Sequence, residues 1–134
     1  VCGVYQIYLL ISLFEERRYY AIEHEIQNFF KDFTYSVQKM SLSSPQMVKG
    51  FGSLHDQVMK SGVLGEKEKE LIALGIAVAV HCIPCIRLHT RAAHGAGATK
   101  EEIMEAASVA VVMAGGPAYT HVPEVVNTLE TIGG

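Results

Sequence analysis

Nine residues, "HCIPCIRLH" from His81 to His89, hold the densest chemistry in the chain. Cys82 and Cys85 stand three apart with Pro84 between them, and His89 follows four residues after the second thiol. Pro84 disfavours helical geometry at Ile83 and suits the first turn of a new helix. Cys82 is therefore expected near a helix N-cap, with Cys85 inside the first turn. Unpaired backbone N–H groups at such an end stabilise a thiolate. His89 falls one turn beyond Cys85 on the same face, where it can take or return a proton. Two thiols at this spacing can close into a disulfide with little rearrangement of the chain. These parts describe a thiol–disulfide centre.

Two other readings compete. Cys82, Cys85 and His89, joined by His81, His94 or Glu70, could supply tetrahedral zinc ligands. Zinc patterns usually separate their two ligand pairs by a dozen or more residues, however, and here the pairs nearly abut. The other reading is two buried structural thiols, which leaves the proline, the helix start and His89 without a role. Redox chemistry accounts for all of them. Glu70 precedes Cys82 by twelve residues, at the head of an apolar helix that leads into the thiols. A carboxylate beside buried apolar surface suits general base work. It reaches the thiols only if that helix folds back against the next.

The elements that must do this positioning read as helices. From Glu15 to about Met40 apolar and aromatic residues recur on one side: Tyr19, Ile22, Ile26, Phe29, Phe30 and Phe33. "SLSSP", Ser41–Pro45, is a break, and Ser44–Pro45 opens a second helix carrying Met47, Val48, Phe51, Leu54, Val58 and Met59, with Gly62 near its end. Glu66, Glu68 and Glu70 mark the acidic start of a third. Its continuation, Leu71–Val80, carries no polar side chain on any face, and such a helix is expected to be buried. Gly95 and Gly97 should stop the CxxC helix. "TKEE" is a capping box of Thr99 with Glu102, followed by an apolar face from Ile103 to Ala114. Gly115, Gly116 and Pro117 break that helix, and a last one runs towards Ile132. With no convincing strand signal, the fold class is all-α. Two helices that are apolar on more than one face exceed what a domain of about 95 residues can bury alone. A homo-oligomer is the expected solution.

Composition narrows the function classes. The chain has 134 residues, 49% apolar and 19% charged, with a net charge of −3. That excludes a disordered chain and offers no basic footprint for nucleic acid. No phosphate-binding glycine loop is present. Three cysteines, Cys2, Cys82 and Cys85, do not make a secreted disulfide framework. A reducing, cytoplasmic setting is expected. The apolar stretch Val1–Phe14 is short for a membrane span and reads as a packing segment or subunit contact. Residues 1–40 are read as an extension and 41–134 as the functional domain. Outside the cysteine motif, His81 is expected to cap the preceding helix or tune Cys82, and His121 to approach the site in an oligomer. Arg87 and Arg91 are expected to form ion pairs or a solvated face, and the methionines to fill core.

The spacing Glu70, eleven residues, Cys82, two residues, Cys85, three residues, His89 resembles the E-x11-C-x2-C-x3-H signature of the alkylhydroperoxidase D-like branch of the carboxymuconolactone decarboxylase family. The resemblance extends over roughly Ser44 to Leu129, through "EKEKELIALGIA", "HGAGAT" and "EEIMEAASVAVVMAGGPAY". It implies an all-helical fold assembled into trimers or hexamers, and a dithiol that reduces hydroperoxides or recycles a peroxiredoxin-type partner. A cellular thiol reductant would restore the dithiol, and no cofactor, metal, nucleic acid or membrane would be needed. By the same resemblance Glu70 and His89 form a proton relay, and Cys82 and Cys85 share the peroxidatic and resolving roles. One position departs: the prototype carries histidine where this chain has Pro84. Members that decarboxylate a lactone do not depend on the cysteine pair. Such an activity, with His121 as acid or base, is the alternative enzyme, and a Cys/His metal-binding module is the alternative to an enzyme.

Overall fold

The computed structural model describes residues 2–133, with side chains from Leu10 onward. Among them the chain forms seven helices and no strand: α1 (Cys2–Ser43), α2 (Pro45–Met59), α3 (Glu66–Ala79), α4 (Ile83–Gly95), α5 (Lys100–Ala114), α6 (Gly116–Tyr119) and α7 (Val122–Ile132). The all-α class read from the sequence is the class observed. The first helix is longer than its aromatic periodicity indicated and runs unbroken to Ser43. Whether Val1–Phe14 packs as a unit lies largely outside the described side chains; Leu10, Ile11, Leu13 and Phe14 are exposed.

The core is a three-helix centre in which α3 packs against both α4 and α5, and α7 closes α4 from the other side. Leu74, Val78, Ile86, Ile103 and Val125 are fully buried in it. Each contributes roughly 1.5–3 kcal/mol of burial free energy. The α3 stripe does not bury Leu71–Val80 on every face, as the unbroken apolar run had indicated. Leu74, Ala77 and Val78 face the core, whereas Ile72, Ile76 and Val80 are exposed. The reason is geometric, since α4 and α5 cover one side of α3, and among the described residues α2 and α6 touch it only briefly. Val109, Val112 and Met113 are exposed on α5.

Chain reversals follow local chemistry. The α4 helix ends in a Schellman motif: Gly97 takes a left-handed φ of 91°, its N–H bonds to the carbonyl of His94, and Ala98 N–H bonds to that of Ala93. Gly115, at φ 71° and ψ −150°, occupies a region that side-chain-bearing residues avoid, and it turns α5 into α6. The α5 start is the expected capping box. Glu102 N–H donates to Thr99 Oγ1 at 3.1 Å, and Thr99 N–H donates to Glu102 Oε2 at 2.8 Å. Lys67 Nζ donates to Glu102 Oε1 at 2.8 Å, tying the starts of α3 and α5 together. That hydrogen bond, with the Thr99 N–H, holds the Glu102 carboxyl below the usual carboxylate range, and the same contact raises Lys67.

Thr99→Ala is expected to cost about 1 kcal/mol in chemical denaturation. A depressed carboxylate stabilises the fold above its unfolded pKa and loses that contribution as pH falls through its lower folded pKa. Stability against pH should therefore show an acid limb below the usual carboxylate range that is shallower in Glu102→Gln.

Candidate functional site

The turn between α3 and α4 creates the site. Val80 closes α3, His81 follows at φ 60°, and Cys82 is the N-cap of α4. His81 N–H bonds to the carbonyl of Val78 and Cys82 N–H to that of Ala77, so this turn is a second Schellman motif. It carries histidine at the left-handed position where the next turn carries Gly97. A non-glycine residue there is strained by about 1–2 kcal/mol. The capping role expected for His81 is thus observed. Its ring stacks on His121, with centroids 4.8 Å apart, and His121 Nδ1–H donates to the Pro117 carbonyl at 2.8 Å. His121 therefore lies beside the site within one chain, next to the residue that precedes Cys82.

Pro84 stands in the first turn of α4, as its ring geometry requires. The Cys82 carbonyl accepts the first helical bond, from Ile86 N–H. Cys82 N–H is consumed by the turn and Pro84 has none. The N–H groups of Ile83 and Cys85 donate to no backbone carbonyl and mark the positive end of the helix beside the sulfurs. Cys82 and Cys85 are joined in a disulfide with Cα atoms 5.2 Å apart. Both are half-buried, and Ile83 and Pro84 between them are exposed, so the bond lies at the protein surface.

The folding back of α3 against α4 brings Glu70 to His89. The carboxylate is 4% exposed, and its Oε2 lies 2.7 Å from His89 Nδ1. The Nδ1–H donates to the carboxylate, which fixes the ring's orientation and leaves Nε2 as the proton-exchanging nitrogen. His89 is half-buried, one turn beyond Cys85 on the same helix. Among the described residues no three His, Cys, Asp or Glu side chains are grouped closely enough to hold a metal ion. His94 lies at the far end of α4, in its last turn.

The sequence did not disclose what steadies α4 from behind. Arg87 is nearly buried; its Nε donates to Glu124 of α7 and its Nη2 to Glu25 of α1 at 2.7 Å. Burial alone would pull the guanidinium down, but the two carboxylates more than offset it and raise it. The same guanidinium lies over Phe29 at 5.0 Å from the ring centroid, and Arg91 lies over Phe30 at 3.8 Å. The ion pairs expected of Arg87 are present. Glu25 and Glu124 lie 62 and 37 residues away from it, beyond any local signal.

Residues 45–127 match the model of the carboxymuconolactone decarboxylase family. The chain belongs to that family. A family member from Legionella pneumophila, in a ligand-free crystal structure, is 36% identical and superposes with a TM-score of 0.75, over 79% of this chain and 95% of that one. A Thermotoga maritima member, for which a part in antioxidative response has been suggested, is 31% identical with a TM-score of 0.71, over 78% of this chain and 89% of that one. The uncharacterized protein 4 of the cox locus of Paracoccus denitrificans is 39% identical over 84 residues, 63% of this chain and 76% of that protein. Among the described residues of this family member, no helix is long and apolar enough to cross a membrane.

Arg87→Leu would leave Glu124 without its partner against α4. It is expected to cost about 2–3 kcal/mol in denaturant titration. Glu25→Gln, at an exposed end of the clamp, should cost less than about 1 kcal/mol.

Proposed function

We propose that the protein is a thiol–disulfide oxidoreductase of the alkylhydroperoxidase D-like branch, cycling Cys82 and Cys85 between dithiol and disulfide. The observation that carries this reading is the combination on α4: a closed Cys82–Cys85 bond at its N-terminus and a Glu70–His89 pair one turn on. A hydroperoxide is the simplest oxidant. One thiolate attacks the terminal peroxide oxygen, the O–O bond breaks, and the thiolate becomes a sulfenic acid. The departing alkoxide takes a proton, for which His89 Nε2, backed by Glu70, is the donor. The second thiol then attacks the sulfenic sulfur, water leaves, and the disulfide forms. Two electrons from a cellular dithiol restore the reduced pair. Cys85 is favoured as the attacking thiol because it shares its helix face with His89. A disulfide on a peroxiredoxin-type partner can replace the peroxide, with a mixed disulfide as the intermediate.

None of these steps calls for a prosthetic group. The odd, low cysteine count fits work in a reducing compartment such as the cytoplasm. The suggested antioxidative part of the Thermotoga maritima relative points the same way.

Cys82→Ser and Cys85→Ser should each abolish turnover of an organic hydroperoxide coupled to a dithiol reductant. Glu70→Gln and His89→Asn should each lower it by roughly 10²–10⁴-fold. The double variant should be little worse than either alone, because the two residues act as one unit. Full turnover in Cys82→Ser, Cys85→Ser would dismiss the mechanism and favour decarboxylase-like chemistry that needs no thiol.

A further inference from the structure

Among the described residues His81 alone, apart from glycines, has a positive φ. Glycine would take that conformation without steric cost. Histidine is worth its strain only if the ring does something, and the ring has one contact that stands out: it stacks on His121, with planes 25° apart. His121 is a fixed plate. Its Nδ1–H donates to the Pro117 carbonyl at 2.8 Å, its backbone N–H donates to the Ala118 carbonyl at 2.9 Å, and its own carbonyl accepts from Glu124 N–H at 3.1 Å. Ala118 is fully buried and anchors α6 beneath it. The first turn of α7 also holds Arg87 through Glu124. The start of α7 thus grips the redox segment at two points, one residue before Cys82 and two residues after Cys85. Both thiols lie between those grips, with their Cα atoms 5.2 Å apart.

We infer that His81 and His121 are positioning residues for the resolving thiol: their stack holds Cys82 within reach of a sulfenic acid on Cys85, so that the disulfide closes before a second peroxide arrives. The assignment rests on the redox reading above, with Cys85 as the attacking thiol. A sulfenic acid has two fates. The Cys82 thiol attacks its sulfur, the S–S bond forms and water leaves. Alternatively the sulfenic sulfur attacks a second hydroperoxide, the O–O bond breaks, and one oxygen is transferred to give a sulfinic acid and an alcohol. The first step is internal, and its rate depends on how closely the two sulfurs are held. The second rises with peroxide concentration and does not depend on Cys82. Loosening the turn that carries Cys82 therefore favours the sulfinic acid. Glycine at position 81 would relax the backbone but leave α7 no ring to grip, and Cys82 would be free to move with the turn.

The partition between the two products tests this. The reduced parent, His81→Gly, His121→Ala and His121→Phe are each treated with rising cumene hydroperoxide, without reductant, and read by intact mass. Loss of two hydrogens marks the disulfide, and gain of two oxygens marks the sulfinic acid. The ratio does not depend on how fast the sulfenic acid forms. His81→Gly and His121→Ala should reach equal amounts of the two products at about tenfold lower peroxide than the parent. His121→Phe keeps a flat ring for His81 to stack on and should stay near the parent. Denaturant titration separates this effect from general loosening, because His81→Gly removes the left-handed strain and should be no less stable than the parent. A parent that closes its disulfide, with either His81→Gly or His121→Ala partitioning as the parent does, overturns the proposal and leaves the redox reading standing. A shift in His121→Phe as large as in His121→Ala also overturns it, since the imidazole rather than the stack would then matter. A parent that forms no disulfide overturns both.

Discussion

The Glu70–His89 hydrogen bond is the constraint around which the rest of the site is arranged. A carboxylate with almost no exposure is costly unless a partner satisfies it, and here the partner comes from the neighbouring helix. That polar contact ties α3 to α4 and holds the two helices in one register. It also fixes which way the imidazole faces. Once α3 and α4 are registered, the turn between them must reverse within three residues, and the cysteines sit at the point where the chain leaves that reversal.

The reversal has its own cost. Schellman turns favour glycine, and the α4–α5 turn uses Gly97. The α3–α4 turn holds His81 instead, in a left-handed conformation beside Cys82 and stacked on His121. Strain tolerated next to reactive groups is a common mark of a site built for chemistry rather than for stability. Behind the helix, Arg87 ties α4 to α7 and to the long α1, and Arg91 rests on Phe30. Cys85 and His89 thus share one face of a 13-residue helix, and the Arg87 clamp holds that helix from another.

Much of this was legible in the sequence because it is local. Pro84 after Ile83 announces a helix start, Thr99 with Glu102 a capping box, and the four-residue step from Cys85 to His89 a shared face. Each needs only the geometry of one turn. The pairing of Glu70 with His89 was reached through family resemblance, since nineteen residues and a chain reversal separate them. Burial was harder. Leu71–Val80 reads as apolar on every side, but periodicity cannot say whether the cover for Ile72 and Ile76 comes from the same chain or another. The Arg87 clamp was illegible because both carboxylates come from distant helices and neither stands in a recognisable pattern. The left-handed turn at His81 was not legible, since histidine is an uncommon choice where glycine is ordinary; only its place at the end of the preceding helix was.

The central claim is that Cys82 and Cys85 are one redox couple. It is tested most directly by intact mass on the reduced protein after one equivalent of an organic hydroperoxide, followed by peptide mapping. The account expects a loss of two hydrogens and a peptide pair linked through Cys82 and Cys85. Thiols that stay reduced, or a protein that carries stoichiometric zinc and ignores the peroxide, would contradict it and turn the motif into a metal site.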